Sequence, residues 1–149
     1  MRSERGFTLV ELLVVFAITA LLIGLVPVAF DRMRESAQYR NTLRTMLADM
    51  RSARYRAVSE GAEIRFKVNL GQRTYGVDGQ PMRDLPESLQ VRLVVADSEM
   101  GYGQEGSIRF LSSGGATGGS VDVVRVSGSG VRLRVDWLSG RVTQEALPP

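Results

Sequence analysis

The hydrophobic pattern along the chain changes character twice. From Phe7 to Phe30 the residues are almost continuously apolar, and no charge falls between Leu12 and Phe30. As a helix this stretch covers about 36 Å, enough to cross a bilayer core. From Asp31 the pattern stays helical but becomes amphipathic. Met33, Ala37, Leu43, Met46, Leu47, Met50, Ala53, Ala57 and Val58 recur mostly three or four apart, with the arginines mainly outside that stripe. Ser59-Glu60-Gly61 reads as the stop, with Gly61 as C-cap.

After Gly61 the period falls to two. Ile64, Phe66, Val68 and Leu70 share one face, and Gly71-Gln72 turns the chain into a second strand over 73–77. Further strands are expected at 89–96, 107–111, 120–126, 131–137 and 141–144. The acidic, glycine-containing stretch 97–106 reads as a loop suited to movement or partner contact. The expected fold class is α+β. One long N-terminal helix, transmembrane over 7–30 and amphipathic over 31–60, precedes an antiparallel β-sheet or β-sandwich domain over 61–149.

Glu11 is the exception inside the apolar run. A carboxylate there is expensive in lipid and needs a reason. A cleaved secretory signal would have a shorter apolar core and a small-residue cut site, and Pro27-Val28-Ala29 is a poor one. A plain signal anchor, with Arg2 and Arg5 holding the N-terminus inside, leaves Glu11 unexplained. Removal of residues 1–6 as a leader, by cleavage between Gly6 and Phe7, keeps the helix and leaves Glu11 for an assembly role. The competing reading is a lone glutamate snorkelling at the interface. Pro27, inside the same run, removes a backbone donor and kinks a helix.

Composition narrows the chemistry. The chain has 149 residues, 23% of them charged, and a formal net charge of +3; Lys67 is its one lysine. There is no cysteine, so no disulfide holds the fold, and no histidine, which removes the commonest general base and metal ligand. No serine sits in a Gly-x-Ser-x-Gly elbow. The glycine run at 114–119 lacks the lysine of a phosphate-binding loop and leads into a strand pattern, so it reads as an irregular connection. Trp137, alternating with Leu133 and Val135, is expected in the core, and Asp122 and Asp136 are expected to face outward. Asp97, Glu99 and Glu105 are oxygen ligands of the type calcium takes, but their spacing fits no EF-hand loop. A structural and interaction protein is expected, not an enzyme, with no cofactor and no metal site.

The segment Gly6-Phe7-Thr8-Leu9-Val10-Glu11-Leu12-Leu13-Val14-Val15 resembles the class III signal of type IV pilins and type II secretion pseudopilins. Towards the other end, Phe110-Leu111-Ser112-Ser113-Gly114-Gly115-Ala116-Thr117-Gly118-Gly119-Ser120-Val121 resembles the glycine-rich segment of the GspH/FimT group. Val135-Asp136-Trp137-Leu138-Ser139-Gly140-Arg141-Val142 is similar to that group's closing hairpin, which ends in a glycine–arginine pair. The resemblance implies that a prepilin peptidase cuts after Gly6 and methylates the new amine of Phe7. It implies that Glu11 pairs with the N-terminal amine of a neighbouring subunit, and that Pro27, eased by Gly24, bends the stem. It further implies a minor pseudopilin of a type II secretion system, in the bacterial inner membrane with a single pass and its C-terminal domain in the periplasm. Its partners would be other pseudopilins, the prepilin peptidase and inner-membrane components of the secretion system. The alternative within the group is a FimT-like minor pilin acting in pilus assembly or DNA uptake. Against nucleic acid as a partner, the C-terminus carries no basic tail; Arg132, Arg134 and Arg141 offer only a small patch.

Overall fold

The computed structural model describes residues 7–148, without the side chains of residues 24–32. Helix α1 runs Leu9–Glu60 and ends where the sequence says it should. Gly61 takes φ +65°, and the Ala62 N–H donates to the Ala57 carbonyl at 3.2 Å. That six-to-one bond is a Schellman stop, which a residue with a Cβ enters only with strain. The leader residues 1–6 lie outside the described residues. α1 continues through Pro27, whose side chain also lies outside them, so the expected kink is left to the sequence.

The chain divides into two compact units, Met1–Ala37 and Gln38–Pro149. In the second, eight strands follow α1: β1 (Ile64–Asn69), β2 (Thr74–Val77), β3 (Arg83–Asp84), β4 (Leu89–Val94), β5 (Glu105–Phe110), β6 (Gly119–Arg125), β7 (Gly130–Val135) and β8 (Val142–Leu147). They form two four-stranded antiparallel sheets, in the orders β3-β2-β1-β5 and β4-β6-β7-β8. The strand positions expected from alternation are met to within a few residues. The two-residue β3 had no readable pattern, because neither of its side chains is buried. The connection at 97–106 is not loose: Asp97–Glu99 forms a turn of 3-10 helix, and Met100 bridges back to Gly106.

One core joins α1 to both sheets. Met46, Met50, Ala53 and Ala57 of the helix, Phe66 and Val68 of β1, Ile108 and Phe110 of β5, and Val121, Val123 and Leu133 of the second sheet are all fully buried. Met46 and Met50 thus serve as core filler, as their spacing predicts, whereas Met33 of the same stripe is exposed. Val58, assigned to the same stripe, is half exposed. The Phe66 ring lies 6.2 Å from that of Tyr75 at 45°. At the helix edge, Arg125 stacks its guanidinium over the Tyr39 ring at 4.0 Å.

One expectation is overturned, and another holds with an addition. Trp137 is 67% exposed. β7 stops at Val135, and the Asp136 carboxylate accepts from both the N–H and the hydroxyl of Ser139, at 2.8 and 2.7 Å. The turn therefore begins before the strand alternation reaches Trp137. Asp122 does point away from the core, between buried Val121 and Val123, yet it is only 5% exposed. Arg132, its cross-strand neighbour, lays a bidentate fork on it at 2.7 and 2.8 Å and covers it.

Phe66→Ala should lower the unfolding free energy by about 4 kcal/mol, because the packed surroundings collapse only partly around the void; denaturant titration measures it. Burial pushes the Asp49 carboxyl above its ordinary range, against the opposing pull of Arg83 at 3.4 Å. A carboxyl raised on folding supports the fold fully only below its unfolded value, and that support drains away as pH rises through the folded one. Asp49→Asn should therefore gain stability relative to the wild type between about pH 4 and pH 7. Paired denaturation curves at the two pH values read this out, and a constant difference would refute it.

Candidate assembly site

The start of α1 is organised by Thr8 and Glu11. The Glu11 carboxylate accepts from the Thr8 N–H at 2.9 Å and from the Thr8 hydroxyl at 3.0 Å. In return the Thr8 hydroxyl oxygen accepts from the Glu11 N–H at 3.2 Å, and Leu12 N–H reaches the Thr8 carbonyl at 3.2 Å. This is a capping box, threonine at the N-cap and glutamate three residues on, and it satisfies N–H groups that a helix start leaves open. Thr8, unlike Glu11, carries no cost that marks it among apolar residues. The signal was present, since a threonine followed three residues later by a glutamate before an apolar run is a helix-start signature.

Around this box the side chains are apolar and exposed. Phe7 is 83% exposed, Leu9 78%, Phe16 71% and Ile23 67%. A helix apolar on every side finds no stable place in water and must be covered by lipid or by other helices. Among the described residues no helix is long and apolar enough to cross a membrane. The described apolar side chains stop at Ile23, and the rest of the expected span, to Phe30, lies outside them. Gly6, the expected residue before the cut, also lies outside; Phe7 is described, and it is exposed.

The remaining candidate residues resolve into structural roles. Glu99 is buried, its carboxylate held by Arg109 at 2.6 and 3.0 Å and by the Ser107 hydroxyl at 2.8 Å. Arg109 also reaches Glu63 at 2.9 Å. Glu99 is thus committed to pinning the 97–106 connection onto β5, and Glu105 lies beside Asn69. Among the described residues no three acidic side chains gather as metal ligands. The glycine run passes close to the β7–β8 turn: a Cβ on Gly115 would come within 3.0 Å of the Trp137 carbonyl oxygen. Close backbone approach, not phosphate cradling, accounts for it. In the basic patch, Arg132 is engaged by Asp122 and Arg134 approaches Glu145 at 3.7 Å, while Arg141 lies beside α1 with Arg51 and Arg54.

Comparison with known proteins agrees with both motifs. Residues 1–27 match the prokaryotic N-terminal methylation motif, and residues 42–140 match type II transport protein GspH. The type II secretion system protein H of Xanthomonas campestris pv. campestris is 30% identical over 141 residues, which cover 95% of this chain and 83% of that protein. The minor pseudopilin EpsH from the type 2 secretion system of Vibrio cholerae superposes with a TM-score of 0.55 at 14% identity. The match covers 75% of this chain and 98% of that one, and shows a shared fold. The pilin-like α+β architecture, the methylation motif at one end and the glycine-rich segment and closing hairpin at the other converge on one assignment: the chain belongs to the GspH family of type II secretion proteins.

Proposed function

We propose that this protein works as a minor pseudopilin, a structural subunit and not an enzyme, built into a short fibre that assists export of folded proteins across the outer membrane. In this reading residues 1–6 are removed after Gly6, Phe7 becomes the methylated N-terminus, and the stem 7–30 anchors the subunit in the inner membrane with its β domain in the periplasm. One observation carries the reading. A single carboxylate, Glu11, stands at the head of a stem whose other described side chains, Thr8 and Thr19 apart, are apolar and uncovered. Such a stem seeks neighbours like itself, and Glu11 fixes the register by pairing with the Phe7 amine of the next subunit.

The capping box gives Glu11 an occupation before assembly. Thr8 supplies two donors to the carboxylate, so the acid is not bare while the subunit waits in the membrane. A charged amine is the stronger partner in low dielectric, and exchange from Thr8 to the neighbour favours the fibre. The absence of histidine and cysteine from the sequence agrees with a subunit that performs no acid–base or thiol chemistry.

Protein purified from its native host should begin at Phe7 and carry one methyl group on the amine; mass spectrometry of the N-terminal peptide decides. A first residue of Met1, or one beyond the stem, would remove the basis of the proposal. Glu11→Ala should insert normally yet enter the fibre at least about tenfold less than wild type, measured in sheared pseudopili. Thr8→Val should weaken the first turn of α1 by about 1 kcal/mol, read as faster amide exchange at residues 9–12 in detergent, while incorporation persists.

A further inference from the structure

The side of α1 turned from the core carries an unmatched charge. Arg40, Arg44, Arg51 and Arg54 follow one another at spacings of four, seven and three, which places them on one side of the helix. All four are exposed, and among the described residues none of them forms an ion pair. The acids of this part of α1 lie elsewhere: Asp49 is buried beside Arg83, and Glu60 pairs with Arg56 at 2.9 Å. Tyr55, on the arginine side, is 75% exposed.

Near its C-terminal end this side is built up by the β7–β8 turn. The Arg54 Nε donates to the carbonyls of Ser139 at 3.0 Å and Gly114 at 3.3 Å, which fixes the guanidinium on the turn. Gly140 takes φ +61°, and a Cβ there would run into the Gly114 carbonyl and lie 3.0 Å from the Arg54 Nε. Glycine is therefore what lets Arg54 lie down on the turn, and Arg141 follows directly. An open depression of about 410 Å³ results, lined by Arg51, Arg54, Gly140, Arg141 and Val142. The glycine–arginine pair thereby gains a place in the molecule that the stem chemistry does not use.

We infer that the arginine side of α1, with the depression between Arg51, Arg54 and Arg141, docks an acidic face of a neighbouring pseudopilin subunit. The inference rests on the proposed function, which supplies neighbours of that kind. Charge complementarity names the occupant: several guanidiniums converge without a carboxylate of their own, and guanidinium forks match carboxylates in two-point contacts. Exposed tyrosine beside arginine is the composition of protein interfaces. A nucleic acid is the poorer match. Its backbone rewards a track longer than this single row, and Arg132 and Arg134, which could extend it on the β domain, are already engaged by Asp122 and Glu145.

The test uses full-length protein in its native host, with a photocrosslinking amino acid at Tyr55 and, separately, at Leu13 in the stem. Tyr55 should give an adduct with another pseudopilin. Arg44→Glu with Arg51→Glu should cut that adduct about tenfold or more while the Leu13 adduct persists; neither arginine bonds within the described chain, so folding is spared. Arg54→Gln should cut the adduct in the same direction. A Leu13 adduct without one from Tyr55 overturns the inference and leaves the subunit assignment standing. So does a Tyr55 adduct with lipid or nucleic acid, or one indifferent to charge reversal. Loss of pseudopilin adducts at both positions sinks the proposed function, and the inference with it.

Discussion

The β domain depends on one buried helical stripe. Met46, Met50, Ala53 and Ala57 present no surface to water, and each sheet completes its core against the same cluster. Ala53 and Ala57 are small, and Met46 and Met50 are long and pliable; together they fill what the sheets leave open. Without that stripe the two sheets would each expose an apolar face, and in a chain with no disulfide nothing covalent would hold them. The polar side of the helix is then free to serve other ends. Part of it supplies the arginine side, and Arg54 ties it to the last hairpin.

Glu11 is governed by the opposite constraint. The core stripe is satisfied within the chain, but the stem is not: every apolar side chain described from Phe7 to Ile23 is exposed. Its capping box is a local answer to a local need, satisfying helix-start donors and one carboxylate together. An uncovered apolar stem and a folded domain on one chain thus divide the work of specificity. The domain specifies its own fold, whereas the stem is complete only in company.

Much of this was legible in the sequence because each part announces itself by period. The switch from helical spacing to alternation at Gly61 located the end of α1 and the start of β1 closely, since a glycine stop and a half-buried strand both leave strong marks. Sheet order was not legible: β4 and β6 pair across an intervening β5 that belongs to the other sheet, and no local pattern encodes such a partner. The exposure of Trp137 and the cover over Asp122 were not legible, for related reasons. A two-residue period has no way to show that the strand ends at Val135, nor that a guanidinium from the next strand will roof a carboxylate. At the assembly site Glu11 stood out by its cost. Thr8 did not, although its spacing to Glu11 is a helix-start signature, because its hydroxyl costs little in an apolar run and draws no attention beside a charge.

The bond from Arg54 to Ser139 has a consequence for biogenesis. It links residues 85 apart, and β8, the last strand, closes its sheet. Contacts so distant form late, after the entropy of a long loop has been overcome. Emerging from the ribosome, the chain has its stem in hand long before it owns the hairpin that completes the domain. The β domain therefore completes its fold only after its final residues have been made, its earlier strands waiting on that last hairpin.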